Sequence, residues 1–427
     1  MAIQLVTGGN SQVQQKQFVI PKQLVMDSYK LVKANKGSAG IDDQSIEDFE
    51  RNLKDNLYKI WNRMSSGSYF PPPVKAVSIP KKTGGERILG VPTVADRIAQ
   101  MVVRKTFEPL VEPYFCEDSY GYRPGKSALD AVGVTRQRCW RYDWVLEFDI
   151  KGLFDNIDHD LLMKAVRKHT SCAWTIMYIE RWLKAPLQCA DGSLKERNRG
   201  TPQGGVISPV LSNLYLHYVF DAWMKRNHPQ ILWCRYADDG LVHCKSHKQA
   251  VGLLEELSQR FKDCGLELHP TKTKIVYCRD GTRNKKHEYN SFDFLGYRFR
   301  PRLVKNSKRN TMFVSFTPAV SPVAMKAMRS KVRKANIRNR TDLNLEDIAR
   351  WYNPILCGWF EYYGRYSPSA MYPVWRHFNK TLVAWAMRKY KRLRNRKTWA
   401  SKMLEKVSEQ SPWLIYHWRK GMVGAFA

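Results

Sequence analysis

The stretch Tyr236-Ala237-Asp238-Asp239 constrains this chain more than any other. Two adjacent carboxylates lie between the apolar runs 231–235 and 240–244. Runs of that length and composition, broken by a short turn-prone segment, predict a β-hairpin with both carboxylates at its tip. Side by side, two anions raise at least one pKa. A divalent cation with oxygen ligands removes that cost, which makes Mg²⁺ the natural partner. A second apolar run, residues 144–150, reads as a strand that ends in Asp149 and leads into a glycine and a helix. A carboxylate at such a strand end suits metal binding. On a neighbouring strand it completes a three-carboxylate, two-metal site.

The remaining composition narrows the substrate. The chain has 427 residues, 43% hydrophobic, with 71 Lys and Arg against 39 acidic residues, a net charge of +32. Such a charge points to a polyanion. No run of 18 apolar residues occurs, so no spanning helix and no membrane partner are expected. The N-terminus lacks a basic region and a long apolar stretch, so no secretory signal is expected. Nine cysteines without a C-x-x-C pair argue against a zinc ribbon or a disulfide framework and suit a cytoplasmic location. The charge is uneven: residues 301–427 hold 26 Lys and Arg, only six acidic residues and half of the 14 Trp. This reads as a chemical block followed by a basic grip, whose helices would bind phosphates and stack on exposed bases.

In order, the pattern predicts helices at 21–36 and 45–64, then a Pro-rich break at 71–73. A hairpin follows at 74–91 around Gly84-Gly85, with Lys81 and Arg87 able to hold a phosphate. Helices are expected at 93–110, 127–140, 160–169, 172–184, 210–225 and 248–264. Further strands are expected at 265–270, 271–277 and 292–299, with an extended hairpin at 302–314. From Ser321 onward the pattern is helical. The glycines of Pro202-Gln203-Gly204-Gly205 let backbone approach a substrate closely. Lys272 and Lys274 lie where they can reach phosphates. The fold class is therefore α+β, a small antiparallel sheet with helices on one face.

These segments, in this order, resemble the group II intron reverse transcriptase/maturase family. The matching residues include Ile79-Pro80-Lys81, Gly84-Gly85-Glu86-Arg87, Asp118-Ser119-Tyr120-Gly121-Tyr122-Arg123-Pro124 and Phe148-Asp149-Ile150. They continue with Gly200-Thr201-Pro202-Gln203-Gly204-Gly205, Tyr236–Asp239, Thr273-Lys274, Phe294-Leu295-Gly296-Tyr297 and Gly358-Trp359-Phe360-Glu361-Tyr362-Tyr363. The resemblance implies a right-hand polymerase with fingers and palm followed by an α-helical thumb/maturase domain. The implied divisions are an N-terminal extension (1–73), fingers and palm (74–315), thumb/maturase (316–390) and a basic, DNA-binding tail (391–427).

The resemblance also implies RNA-templated DNA synthesis on a DNA primer from dNTPs, splicing of a group II intron RNA, and intron mobility into target DNA. Two Mg²⁺ would be held by Asp149, the Ile150 carbonyl and Asp238, with Asp239 in support. Nucleotide contacts would come from Lys81, Arg87, Leu153, Gln203, Gly204 and Lys274. Leu153 stands where many members carry an aromatic that blocks a ribose 2′-hydroxyl. Nucleic-acid contacts would come from Arg123, Lys331, Arg333, Lys334, Arg388, Arg392 and Arg394. No C-terminal endonuclease is expected. The same palm would also serve a domesticated reverse transcriptase in phage defence, or a splicing maturase with little polymerase activity.

Overall fold

The computed structural model describes residues 17–80, 85–306, 308–423 and 426, so Lys81 and Gly84 lie outside the described residues. The chain divides into two compact units, each discontinuous in sequence. One takes the residues up to Pro124, Ile150–Pro229 and Leu257–Leu268; the other takes Gly125–Asp149, Gln230–Glu256 and the chain from His269.

The first unit is built on the helix Val94–Val111. Thr93 caps it by accepting the Asp96 N–H. Val94, Ile98, Ala99, Val102, Val103 and Phe107 are buried, so the helix is apolar on several faces and forms the core of the unit. The helix Lys22–Asn35 packs on it. The expected hairpin is present: Val74–Pro80 pairs antiparallel with Glu86–Val91. Its first strand also pairs in parallel with Leu187–Gln188. The single helix expected at 45–64 is two, Ile46–Arg51 and Leu53–Ser65. Asn52 leaves the helical region (φ −124°, ψ 42°), and the Asn56 amide takes the free Phe49 carbonyl. The helix expected at 210–225 is Ser208–Leu216, a π turn His217–Asp221, then Ala222–Asn227.

The second unit holds a four-stranded antiparallel sheet, in the order Leu232–Tyr236, Asp239–Cys244, Trp144–Asp149, Lys274–Tyr277. Val145, Leu146, Phe148, Leu241 and Val242 fill its centre. Two strand expectations change, one for each unit. The strand expected at 265–270 reduces to one bridge, Leu268 with Ile150, because Gly265 takes a left-handed φ of 70° and Pro270 lacks an N–H. The strand expected at 292–299 turns back on itself at Leu295-Gly296, where φ is 51° and 80°. Two positive φ values in a row make the two-residue hairpin turn. The Tyr362 hydroxyl holds the Leu295 carbonyl at 2.9 Å. Phe292–Phe294 thus pairs with Tyr297–Asn306, which pairs in turn with Thr311–Val320.

The C-terminal helices Pro322–Lys334, Leu345–Tyr363, Tyr372–Lys389 and Lys397–Gln410 share one apolar core. Trp375, Trp385 and Trp418 are fully buried in it. Asn379 accepts from both His417 Nε2 and Trp418 Nε1. These three tryptophans are therefore packing residues and not the base-stacking surface expected of the basic block. Trp351, Trp399 and Trp413 remain exposed. The reason is size: a helical domain this basic has few aliphatic side chains to spare, and tryptophan supplies the most buried area per residue.

Candidate functional site

The register of the sheet brings the carboxylates together. Asp149 ends its strand directly opposite Asp239. Tyr236 pairs with Asp239, which leaves Ala237-Asp238 as a two-residue loop. The carboxylates thus divide: Asp238 is in the loop, while Asp239 begins the return strand. Ala237 carries φ 55°, a conformation that costs a non-glycine residue roughly 1 kcal/mol. Arg235, wholly buried, donates Nη1 to the Ala237 carbonyl at 3.0 Å and holds that shape. Gly240 is required by its neighbour across the strands. A Cβ there would lie 2.0 Å from the Phe148 ring.

The electrostatics follow from this crowding. Burial pushes Asp239 up to about 7; the charges of Asp238 and Asp149 push the same way, and Lys272 pulls back. Lys272 Nζ stands 2.5 Å from Asp149 Oδ2, and the His269 N–H donates to the Asp149 carbonyl at 2.7 Å. Two residues earlier on the same strand, Glu147 is also pushed up to about 7, chiefly by burial. Its partner is Lys274, at 3.2 Å. Lys274, expected on a phosphate, is instead committed to Glu147. Lys272 is the lysine that reaches the aspartates.

The donor set fits Mg²⁺. It is made of hard carboxylate oxygens whose mutual repulsion is visible in Asp239, and the Lys272 ammonium already answers that charge. Among the described residues no three His, Cys, Asp or Glu side chains form a ready-made metal cage. Mg²⁺ is suited to that, since it is commonly held by one or two carboxylates together with water and substrate phosphates.

In the first unit, the loop Gly200–Gly205 is pinned at three places. Gly200 N–H donates to the Ile157 carbonyl (2.7 Å), Thr201 N–H to the Phe154 carbonyl (2.6 Å), and Gly90 N–H to the Gln203 carbonyl (3.1 Å). Gly204 has φ 139°, and a Cβ would lie 2.4 Å from the Gly90 oxygen, so only glycine fits. Gln203 accepts from Arg87 Nε and donates to both Asp155 oxygens at 3.1 Å. Arg87, Gln203 and Asp155 therefore form one polar chain. Asp155 is its acidic end. Leu153 is 2% exposed, so it faces the interior of its unit and not an open nucleotide pocket.

Behind this loop lies a buried network that sequence reasoning missed. Asp96 is enclosed, and burial raises it to about 6. It accepts from Tyr69 Oη (2.9 Å) and Trp182 Nε1 (2.7 Å) through Oδ1, and from Gln100 Nε2 (3.0 Å) through Oδ2. Gln100 Oε1 in turn accepts from the Val206 N–H at 2.7 Å. Arg123 also moves inward. It pairs with Glu112 (2.8 Å) and donates to the Cys116 and Ser119 carbonyls, so it is a loop fastener and not an open phosphate ligand. Lys331, Arg333, Lys334, Arg388, Arg392 and Arg394 are exposed, as expected of nucleic-acid contacts.

Comparison with known proteins matches these features. Residues 79–299 match the reverse transcriptase (RNA-dependent DNA polymerase) family, and residues 325–404 the group II intron, maturase-specific domain. The chain is 32% identical over 316 residues to the protein YkfC of Escherichia coli, covering 64% of this chain and 79% of that one. It is 35% identical over 193 residues to the group II intron-encoded protein LtrA of Lactococcus lactis subsp. cremoris, 44% of this chain and 32% of the relative. It is 25% identical over 214 residues to nuclear intron maturase 4, mitochondrial, of Arabidopsis thaliana, half of this chain and a quarter of that one. The chain thus spans about four-fifths of the first relative but a third or less of the other two. No helix of the described residues is long and apolar enough to cross a membrane. This chain belongs to the reverse transcriptase family and carries, after its RNA-dependent DNA polymerase region, a group II intron maturase-specific domain.

Proposed function

We propose that this chain copies RNA into DNA from a DNA primer, and that it binds a group II intron RNA, assists its splicing and serves its mobility into target DNA. The observation that carries the polymerase reading is the register pairing of Asp149 with Asp239 beside the loop that holds Asp238. Asp149, the Ile150 carbonyl and Asp238 are the metal ligands of this reading, with Asp239 as their support. Two Mg²⁺ bound there would supply the charge that activates a primer 3′-hydroxyl and steadies the departing pyrophosphate. With metal bound, Lys272 would leave Asp149 to it and keep its ammonium near the reacting phosphates. Asp239, held up to about 7 by burial and its acidic neighbours, would support the site as a carboxylate once cations occupied it. Lys81 and Arg87 hold the triphosphate, and Gln203 and Gly204 line the nucleotide. The exposed Lys331, Arg333, Lys334, Arg388, Arg392 and Arg394 contact RNA. The divisions 1–73, 74–315, 316–390 and 391–427 belong to the same reading, with the matched maturase segment running on to residue 404.

The test is extension of a DNA primer on an RNA template with Mg²⁺. Wild-type protein extends it, and Asp238→Ala falls by about a thousandfold or more. Equal extension by both proteins contradicts the assignment. Splicing of the intron RNA by Asp149→Ala protein, with extension lost, separates RNA binding from chemistry.

A further inference from the structure

Gln203 is the middle of the polar chain that runs from Arg87 to Asp155, and its amide has two unlike ends. Its Oε1 accepts from Arg87 Nε, and its Nε2 donates to Asp155 Oδ1 and Oδ2, each at 3.1 Å. These partners leave the amide one orientation. A guanidinium can only donate and an ionised carboxylate can only accept, so the oxygen faces Arg87 and the NH₂ faces Asp155. Turned over, the amide would set donor against donor and acceptor against acceptor at once.

The backbone of Gln203 is held independently of this chain. Its carbonyl takes the Gly90 N–H at 3.1 Å, and the Gly205 N–H closes onto the Pro202 carbonyl at 3.1 Å. The last side-chain torsion is not held in that way, and in glutamine it is broad and roughly two-fold. Asp155 stands on the four-residue helix Leu153–Asn156, which is tied to the same loop through the Thr201 N–H and the Phe154 carbonyl, 2.6 Å apart. Gly200, at φ 79°, lets the two backbones meet. A Cβ there would lie 2.6 Å from the Phe154 oxygen and 2.8 Å from the Asp155 oxygen. The Asp155 carboxylate serves no group of its own helix: among the described residues its hydrogen bonds are the two from Gln203.

We propose that Asp155 is a positioning residue for nucleotide addition: through both oxygens it holds the Gln203 NH₂, so that Oε1 meets the incoming nucleotide as an acceptor. When Arg87 turns to the triphosphate, its Nε no longer marks the oxygen end of the amide. Asp155 then keeps the orientation alone. The proposal rests on the reading of Gln203 as a nucleotide contact. It adds which end of that amide the substrate meets and which side chain sets it.

The test is single-turnover addition of one dNTP by the full chain, with Mg²⁺, on a preformed complex of RNA template and DNA primer. It reads the apparent dNTP Kd and the maximum rate separately. The variants are Q203A, D155A, D155A/Q203A, Q203E and D155N/Q203E, with thermal unfolding of each followed in parallel. Q203A and D155A should each raise the Kd by about five- to tenfold and change the rate by less than about threefold. D155A/Q203A should bind no worse than Q203A alone, because Asp155 acts through that amide. Q203E sets a second carboxylate against Asp155. D155N/Q203E has the net charge of wild type with the hydrogen bond reversed: the new amide donates to the new carboxylate, whose other oxygen faces the nucleotide. It should bind dNTP about threefold or more tighter than Q203E. A wild-type Kd in D155A beside a raised Kd in Q203A overturns the positioning role and leaves Gln203 as a nucleotide contact. Additive losses in D155A/Q203A overturn it too. So does D155N/Q203E binding no better than Q203E, which decides the matter even if D155A unfolds. A wild-type Kd in Q203A overturns the reading of Gln203 and the proposal with it.

Discussion

Asp96→Asn isolates the buried network behind the Gly200–Gly205 loop. In wild type, Asp96 sits at about 6 against an ordinary 3.8, because burial outweighs its three hydrogen-bond donors. A carboxyl whose folded pKa is raised keeps its proton longer in the native state. Stability is therefore highest below the unfolded pKa, falls as pH rises from 3.8 to about 6, and is level above that. At about 1.36 kcal/mol per unit, the two-unit gap amounts to about 3 kcal/mol in full. From about pH 4.5 to about pH 7.5, linkage gives a loss of about 2 kcal/mol from this one group. Asparagine cannot titrate, so its variant lacks that slope. It also carries a separate, pH-independent cost. Oδ1 can still accept from Tyr69 and Trp182, but the new NH₂ faces the Gln100 amide, whose oxygen is held by the Val206 N–H. Two donors face to face cost about 1–3 kcal/mol. The assay is urea unfolding of both proteins across that pH range, followed by tryptophan fluorescence. The difference between them should move by about 2 kcal/mol in favour of the variant as pH rises. A difference that is flat with pH, or moves the other way, refutes the argument that Asp96 is a raised, buried carboxylate.

Two further outcomes follow from the hairpin. Gly240→Ala should destabilise the fold by about 1–3 kcal/mol through the Phe148 ring. In a double-mutant cycle on unfolding, Phe148→Leu should recover part of that loss; simple additivity would show that the ring is not the obstacle. Lys272→Met removes the ammonium from Asp149, so Mg²⁺ should bind up to about fivefold more tightly by calorimetry, a modest gain because the lysine of the pair is half-exposed. Weaker binding would mean that Lys272 assists the metal and does not compete with it.

The parts of this molecule that were legible in the sequence are those fixed by local pattern. The strand ending at Asp149 and the hairpin at Ala237-Asp238 rest on runs of alternating or continuous apolar residues, and both form as expected. Register was not legible. Nothing in the local pattern says that Asp149 stands opposite Asp239, or that Gly240 exists to admit Phe148. Partners distant in sequence were equally hidden. Lys272 and Lys274 look alike in a line, and only pairing with the Glu147 strand sends one to Asp149 and the other to Glu147. Arg123 sits in a motif-rich loop, yet Glu112 and two carbonyls claim it. Asp96 and Gln100 are buried polar positions on a helix whose other buried residues, Arg97 apart, are apolar. Two polar residues four apart among buried neighbours were the available signal for that network.

The most direct measurement of the central claim replaces Mg²⁺ with Fe²⁺ and generates hydroxyl radicals at the bound ion with ascorbate and peroxide. If Asp149 and Asp238 hold the metal, backbone cleavage should centre on residues near Asp149 and on the Ala237–Gly240 hairpin. Excess Mg²⁺ should suppress it, and it should vanish in Asp149→Ala and Asp238→Ala proteins that remain folded. Cleavage elsewhere, or cleavage at these two places that survives both substitutions, would contradict the assignment of the paired strand ends as the metal site.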